Sequence, residues 1–140
     1  MINVLIDTDV ILDFFFDRKP FSEDAAKILT LCESKNVHGY VTPVSCSNIY
    51  YLLRRTAPHG KVLEKIKQLL MITDVLQMDR NVVIHALNSG FSDFEDGLQY
   101  AAAVDNGGVS AIITRNVSDY KKSKIPVMTP DSFVRSRGEY

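Results

Sequence analysis

The residues of this chain that could do chemistry are mostly aspartates. The sequence holds twelve Asp against five Glu. Asp is a poor helix former, so the excess points to caps, turns or a metal site. Three groups stand out: Asp7 and Asp9 after an apolar run, Asp93 and Asp96 three apart, and Asn116 with Asp119 after another apolar run. Residues three apart share one helix face, which sets Asp93 and Asp96 together near the start of a helix. First-turn acids also stabilise the helix dipole, a sufficient role for Asp93. Asp96 is followed by Gly97 inside the helix, where Gly costs roughly 1 kcal/mol against Ala; that asks for close packing or for clearance beside a bound group. Three or four carboxylates meeting at one edge cannot stay ionised without a countercharge. Hard oxygen donors with few His or Cys nearby select Mg2+ or Mn2+, and such an ion supports phosphodiester hydrolysis.

Other chemistries find little support. His38, His59 and His85 fall on three different elements with no paired spacing, which disfavours zinc. Cys32 and Cys46 fit no metal spacing and are too few for a disulfide framework. Gly107-Gly108 ends a helix before a strand, the wrong order for a phosphate-cradling loop. No Ser or Cys has a partner His in a recognisable motif.

The elements that must position the acids read as alternating strands and helices. Residues 2–6 (INVLI) form a buried strand, 10–16 a short helix, and about 23–34 an amphipathic helix with Ser22 as N-cap. A second strand at 37–41 is followed by Thr42 as N-cap and Pro43 at the first helical position, opening a helix to about Arg55. Ala57 to Gly60 is a turn before a helix over 61–71. A strand at 73–77 and a helix at 80–88 follow. Ser92 and Glu95 then have the spacing of a capping box, starting a helix to about Asp105. Strands at 109–113 and 125–129 precede a terminal helix from Pro130. This order implies an α/β fold with a mostly parallel sheet and right-handed crossovers. Ligands in such sheets bind beyond the carboxyl ends of the strands. Asp7-Thr8-Asp9, Thr42 and Thr114-Arg115-Asn116 all sit there, with Asp119 close behind.

The chain has 140 residues, 46% hydrophobic and 24% charged, with a net charge of −1. This is the composition of one globular domain, 1–140, with no global field to draw it to a membrane or polyanion. The start MINVLID lacks the basic region of a signal peptide, and no run approaches the ~18 apolar residues of a membrane span. A reducing cytoplasm is the expected setting. Any polynucleotide contact needs a local basic rim. The candidates are Arg54 and Arg55, Arg115, and Lys121 and Lys122, with Lys124 beside them.

The blocks VLIDTDVILD (4–13), VSCSNIYYLLRR (44–55), SDFEDGLQYAAA (92–103) and IITRNVSDY (112–120) before IPVMTP (125–130) resemble the PIN domain family, in its order and over almost the whole chain. The resemblance implies a three-layer α/β/α sandwich and a Mg2+- or Mn2+-dependent ribonuclease. It also implies the toxin half of a bacterial toxin–antitoxin pair, with RNA as substrate, an antitoxin as partner and a homodimer as the usual assembly. By position, Asp7 and Asp96 match the metal-binding aspartates, Asp119 and Asn116 fall in the last acidic block, and Asp93 is auxiliary. Thr114 and Asp9 flank the same turn. Asn48 stands where the family has a glutamate, which removes a charge and weakens the expected hold on a cation.

Two other readings differ from this one. Asp7-Thr8-Asp9 also resembles the opening motif of haloacid-dehalogenase-like phosphatases, with Asp7 as nucleophile, although Ile11 departs from that motif. A domain that keeps the fold but binds RNA or protein without cleaving is the reading that Asn48 favours. Finally, Ile49, Tyr50, Leu53, Leu63, Ile66 and Leu70 offer two helices more apolar surface than one layer buries easily, the basis for an expected apolar cleft.

Overall fold

β1 (Ile2–Ile6) runs through the middle of the sheet because it is apolar on both faces. Val4 and Ile6 enter one core and Leu5 the other. The strand pairs in parallel with β2 (Val37–Val41), Ile2 opposite Val37, and with β4 (Ala111–Ile113), Val4 opposite Ala111. β3 (Asp74–Val75) adds beyond β2, and β5 (Val127–Met128) beyond β4. The order is β3-β2-β1-β4-β5, and every pairing is parallel. This computed structural model describes residues 1–137.

Helices cover both faces. On one lie α1 (Thr8–Phe15), α2 (Ser22–Glu33), α3 (Pro43–Leu53), α4 (His59–Ile72) and α7 (Pro130–Ser136), sharing a core that includes Ile11, Ile28, Ile49, Val62 and Phe133. On the other lie α5 (Arg80–Leu87), α6 (Phe94–Asp105) and a 3-10 turn, Val117–Tyr120, around Val82, Ala101, Ile112 and Tyr120. Burying each Ile or Leu contributes about 2 kcal/mol, which clamps both helical layers onto the sheet. The expected α/β/α sandwich is the one observed. No described helix is long and apolar enough to cross a membrane.

Several local expectations need correction. Ser22 is not the cap of α2; Phe21 precedes the helix without a side-chain cap, and the Ser22 hydroxyl donates to Asp17 Oδ1 at 2.8 Å. A carboxylate is the stronger acceptor. The N-cap also shifts by one residue: Asp93, not Ser92, caps α6, accepting from Asp96 N at 3.0 Å. Asp caps as well as Ser. Helix α4 begins at His59, so Gly60 is helical rather than part of the turn. The strands at 73–77, 109–113 and 125–129 shorten to two, three and two residues. The turn at Gly107-Gly108 does end α6, both residues taking positive φ (64° and 76°). Of the apolar residues on α3 and α4, Ile49 and Leu53 are buried, whereas Leu63 and Leu70 remain 38% and 41% exposed.

The strand sequence turns between β1 and β4, with β2 and β3 to one side and β5 to the other. Such a switch point opens a crevice at the carboxyl ends of the strands. Asp7 N donates to Ile113 O at 2.9 Å and holds the two ends together.

Candidate active site

Asp7 leaves β1 and caps α1. Its Oδ1 accepts from Thr8 N at 2.8 Å and from Gln99 Nε2 at 3.3 Å, while its Oδ2 accepts from the buried Thr114 hydroxyl at 2.8 Å. Burial pushes the Asp7 carboxyl above its ordinary range, against the pull of those hydrogen bonds. Asp9, in the first turn of α1, faces the same loop. Its Oδ2 accepts from Arg115 N and Asn116 Nδ2, both at 3.1 Å, and lies 3.4 Å from the Thr114 hydroxyl. Its Oδ1 is buried with no hydrogen-bond partner. Burial first, then the charge of Asp7, lifts the Asp9 pKa to about 6.

Asp96 comes from the first turn of α6. Burial, followed by the charges of Asp7, Asp93 and Asp119, raises its pKa to about 7. Asp93 therefore both caps the helix and adds charge beside Asp96. Gly97 is explained by packing alone, since a Cβ there would meet Ser89 Oγ at 3.2 Å and Ala86 O at 3.5 Å behind the helix. Beneath the acids, the Tyr120 hydroxyl is buried without a hydrogen-bond partner. Burial and the charges of Asp7 and Asp96 push its pKa upward.

A buried polar relay holds this edge together, and most of it was not foreseen from the sequence. Gln99 Oε1 accepts from the Thr42 hydroxyl. Its Nε2 reaches Ser45 Oγ at 3.2 Å as well as Asp7, and Ser45 Oγ bonds the Thr8 hydroxyl at 2.7 Å. The available signal was spacing, because Gln99 lies three residues after Asp96 on an otherwise apolar stretch of helix.

Asp7, Asp9, Asp96, Asn116 and Asn48 line one open cleft of about 540 Å³, within the range of ligand sites. Arg18 and Glu95, neither of them a sequence candidate for the site, line it too. Asp119 does not line the cleft; it sits with Lys121 and Lys122 in a separate depression and reaches the site through its charge on Asp96. Arg115 is committed elsewhere: its Nε and Nη2 bond Asp13 at 2.5 and 3.0 Å, and its guanidinium lies 4.0 Å from the Phe21 ring centroid. Arg54 and Arg55 follow the far end of α3, where Arg54 Nη1 donates to Ala57 O at 3.0 Å. The three His residues bond Asp74, Tyr50 and Asp105.

The side chains that could hold a divalent cation are Asp7, Asp9 and Asp96. Their oxygens are hard donors, the Asp9 Oδ1 is orphaned, and the carboxyls resist ionising together. Among the described residues no group of three or more His, Cys, Asp and Glu is arranged to hold a metal ion by itself. Mg2+ does not require one, since it is commonly bound by one or two carboxylates, several waters and substrate phosphates. The residues fit an ion of that kind.

The fold recurs in solved structures. VapBC-1 from nontypeable Haemophilus influenzae is 15% identical with a TM-score of 0.69, covering 94% of this chain and 99% of that chain. VapBC2 from Rickettsia felis, bound to a DNA fragment from their promoter, is 10% identical with a TM-score of 0.68, covering 91% and 98%. A toxin–antitoxin complex from Klebsiella pneumoniae is 18% identical with a TM-score of 0.67, covering 91% and 97%. At such identities the likeness is one of fold. No curated protein matches the chain. A family model described as "PIN domain" matches residues 3–118, a span holding β1 to β4 with Asp7, Asp9, Asp96 and Asn116. The parallel sheet, the acidic edge at its switch point and this match agree, and the chain belongs to the PIN domain family.

Proposed function

We propose that this protein is a Mg2+- or Mn2+-dependent endoribonuclease, and the toxin partner of an antitoxin protein. The observation that carries the reading is electrostatic. Asp9 and Asp96 have pKa values raised to about 6 and about 7, and Asp9 keeps a buried, unbonded oxygen. A protein that buries acids against one another in an open cleft destabilises itself unless a cation joins them. When bound, the ion supplies positive charge against the scissile phosphate and lowers the pKa of an attacking water.

This chain's own residues do the positioning. Thr114, Thr8 and Gln99 fix both oxygens of Asp7, so its orientation does not depend on a ligand. Asp9 holds the Asn116 amide at the mouth of the cleft. Asp96 stands at the N-terminus of α6, opposite β1, with its charge poised by three neighbouring acids. Tyr51 lines the cleft and is 68% exposed, which suits stacking on an unpaired base.

Solved structures of like fold include toxin–antitoxin assemblies, which supports an antitoxin as partner; the homodimer rests on the family resemblance alone. The phosphatase reading is weaker, because Ile11 departs from its motif and the PIN domain model matches residues 3–118. A non-cleaving RNA- or protein-binding domain remains the second reading, favoured by Asn48. The test is cleavage of single-stranded RNA with Mn2+ by wild type and Asp7→Asn side by side. Loss in the variant and in EDTA supports the nuclease; activity that survives Asp7→Asn contradicts it.

A further inference from the structure

A cleft that receives RNA must accept phosphates, yet nearly all the charge lining this one is acidic. Among the described residues that line it, the single cation is Arg18. Arg18 follows α1 and is preceded by Asp17, which takes the left-handed conformation (φ 51°). The backbone of Arg18 is pinned: its N–H donates to Asp13 O at 3.0 Å, and its carbonyl accepts from Ser22 N at 2.7 Å.

The side chain is held far less firmly. Arg18 Nη1 lies 3.5 Å from Asp13 Oδ1, and the side chain is 41% exposed. Its guanidinium lies 5.1 Å from the Phe16 ring centroid, against 4.0 Å for Arg115 over Phe21. Asp13 is buried, and Arg115 already bonds both of its oxygens. A buried carboxylate must not lose its only partner, but Asp13 has two. Arg115 is locked by that fork and by the Phe21 ring beneath it. Arg18 can therefore leave Asp13 without stranding a buried charge, and its fork then matches a phosphate.

We propose that Arg18 is the phosphate-binding residue of the cleft, taking an RNA backbone phosphate beside the one presented to Asp7 and Asp96 while Arg115 keeps Asp13 paired. This rests on the reading of the cleft as an RNA-cleaving site. The two arginines divide the work, one holding the fold and one binding substrate.

The test compares wild type, Arg18→Ala and Arg18→Lys on a fluorescently labelled single-stranded RNA. Binding is read by anisotropy in EDTA between about 50 and 200 mM salt, and cleavage by KM and kcat with Mn2+. Arg18→Ala should raise KM severalfold with kcat within about twofold, and its plot of log affinity against log salt should be shallower by roughly 0.7, one phosphate on a single strand. Arg18→Lys should keep the wild-type slope and recover part of the affinity. Wild-type KM and slope in Arg18→Ala overturn the proposal, as does a melting temperature far below wild type, which makes Arg18 structural. A wild type that neither binds nor cleaves RNA overturns the nuclease reading itself, a different result from an active enzyme indifferent to Arg18.

Discussion

Asn48 donates its side-chain amide to Glu95 Oε2 at 3.0 Å, tying α3 to the first turn of α6 at the rim of the cleft. The bond gives both residues a role the sequence did not suggest. Glu95 does not complete a capping box, since Asp93 is the cap. Asn48 is a neutral donor to an acid, at the position where the resemblance leads one to expect another acid.

Asn48→Glu should therefore act in two directions. Without metal it sets two carboxylates together and loses a hydrogen bond, costing about 0.5 kcal/mol at this exposed rim. With Mn2+ the added charge should tighten binding severalfold. Melting in EDTA and calorimetric Mn2+ titration check both halves, and an unchanged metal-free melting temperature would mean that the bond carries no weight.

Gln99→Leu should destabilise by about 2–3 kcal/mol, because it leaves the buried Thr42 and Ser45 hydroxyls and Asp7 each short of a partner. Urea unfolding should show a lower midpoint at an unchanged slope. A loss below about 0.5 kcal/mol would show that the relay is dispensable.

The architecture was legible because strand runs, caps and breakers follow local rules. Thr42-Pro43 and Gly107-Gly108 end or begin helices where expected. The principal acids were legible for the same reason: Asp7 and Asp9 follow a strand, and Asp96 opens a helix. What the sequence could not show is where side chains go once layers close. Arg115 reads as a surface cation but is drawn onto Asp13, and Arg18 reads as a loop residue but lines the cleft. Gln99 hid on an apolar helix face, and its partners lie 54 and 92 residues away.

Arg115→Ala should cost about 3 kcal/mol, because it strips the buried Asp13 of two charged hydrogen bonds and leaves it only Arg18 at 3.5 Å. Adding Asp13→Leu should return much of it. Arg18→Ala should cost far less, so denaturant unfolding of the two single variants separates their roles. Equal losses would contradict the division.

The acids also set a pH dependence for the metal-free protein. The unfolded chain releases Asp protons near pH 3.9, whereas the fold keeps those of Asp9 and Asp96 to about 6 and about 7. Across that window the folded state binds more protons, so stability should fall as pH rises from about 4 to 7 and then level off. Melting in EDTA should be lower at pH 8 than at pH 5. Asp96→Asn should flatten the curve and melt higher than wild type at pH 8; parallel curves would contradict the raised pKa.

The central claim is that the acidic edge is built to hold a cation, and Mn2+ binding tests it most directly. Thermal melting of wild type, Asp7→Asn and Asp96→Asn against rising Mn2+ should show the wild-type midpoint climbing with concentration, as binding to the native state alone requires. The shift should vanish in Asp7→Asn and shrink in Asp96→Asn. A wild type indifferent to millimolar Mn2+, or an Asp7→Asn protein that responds equally, would contradict the account.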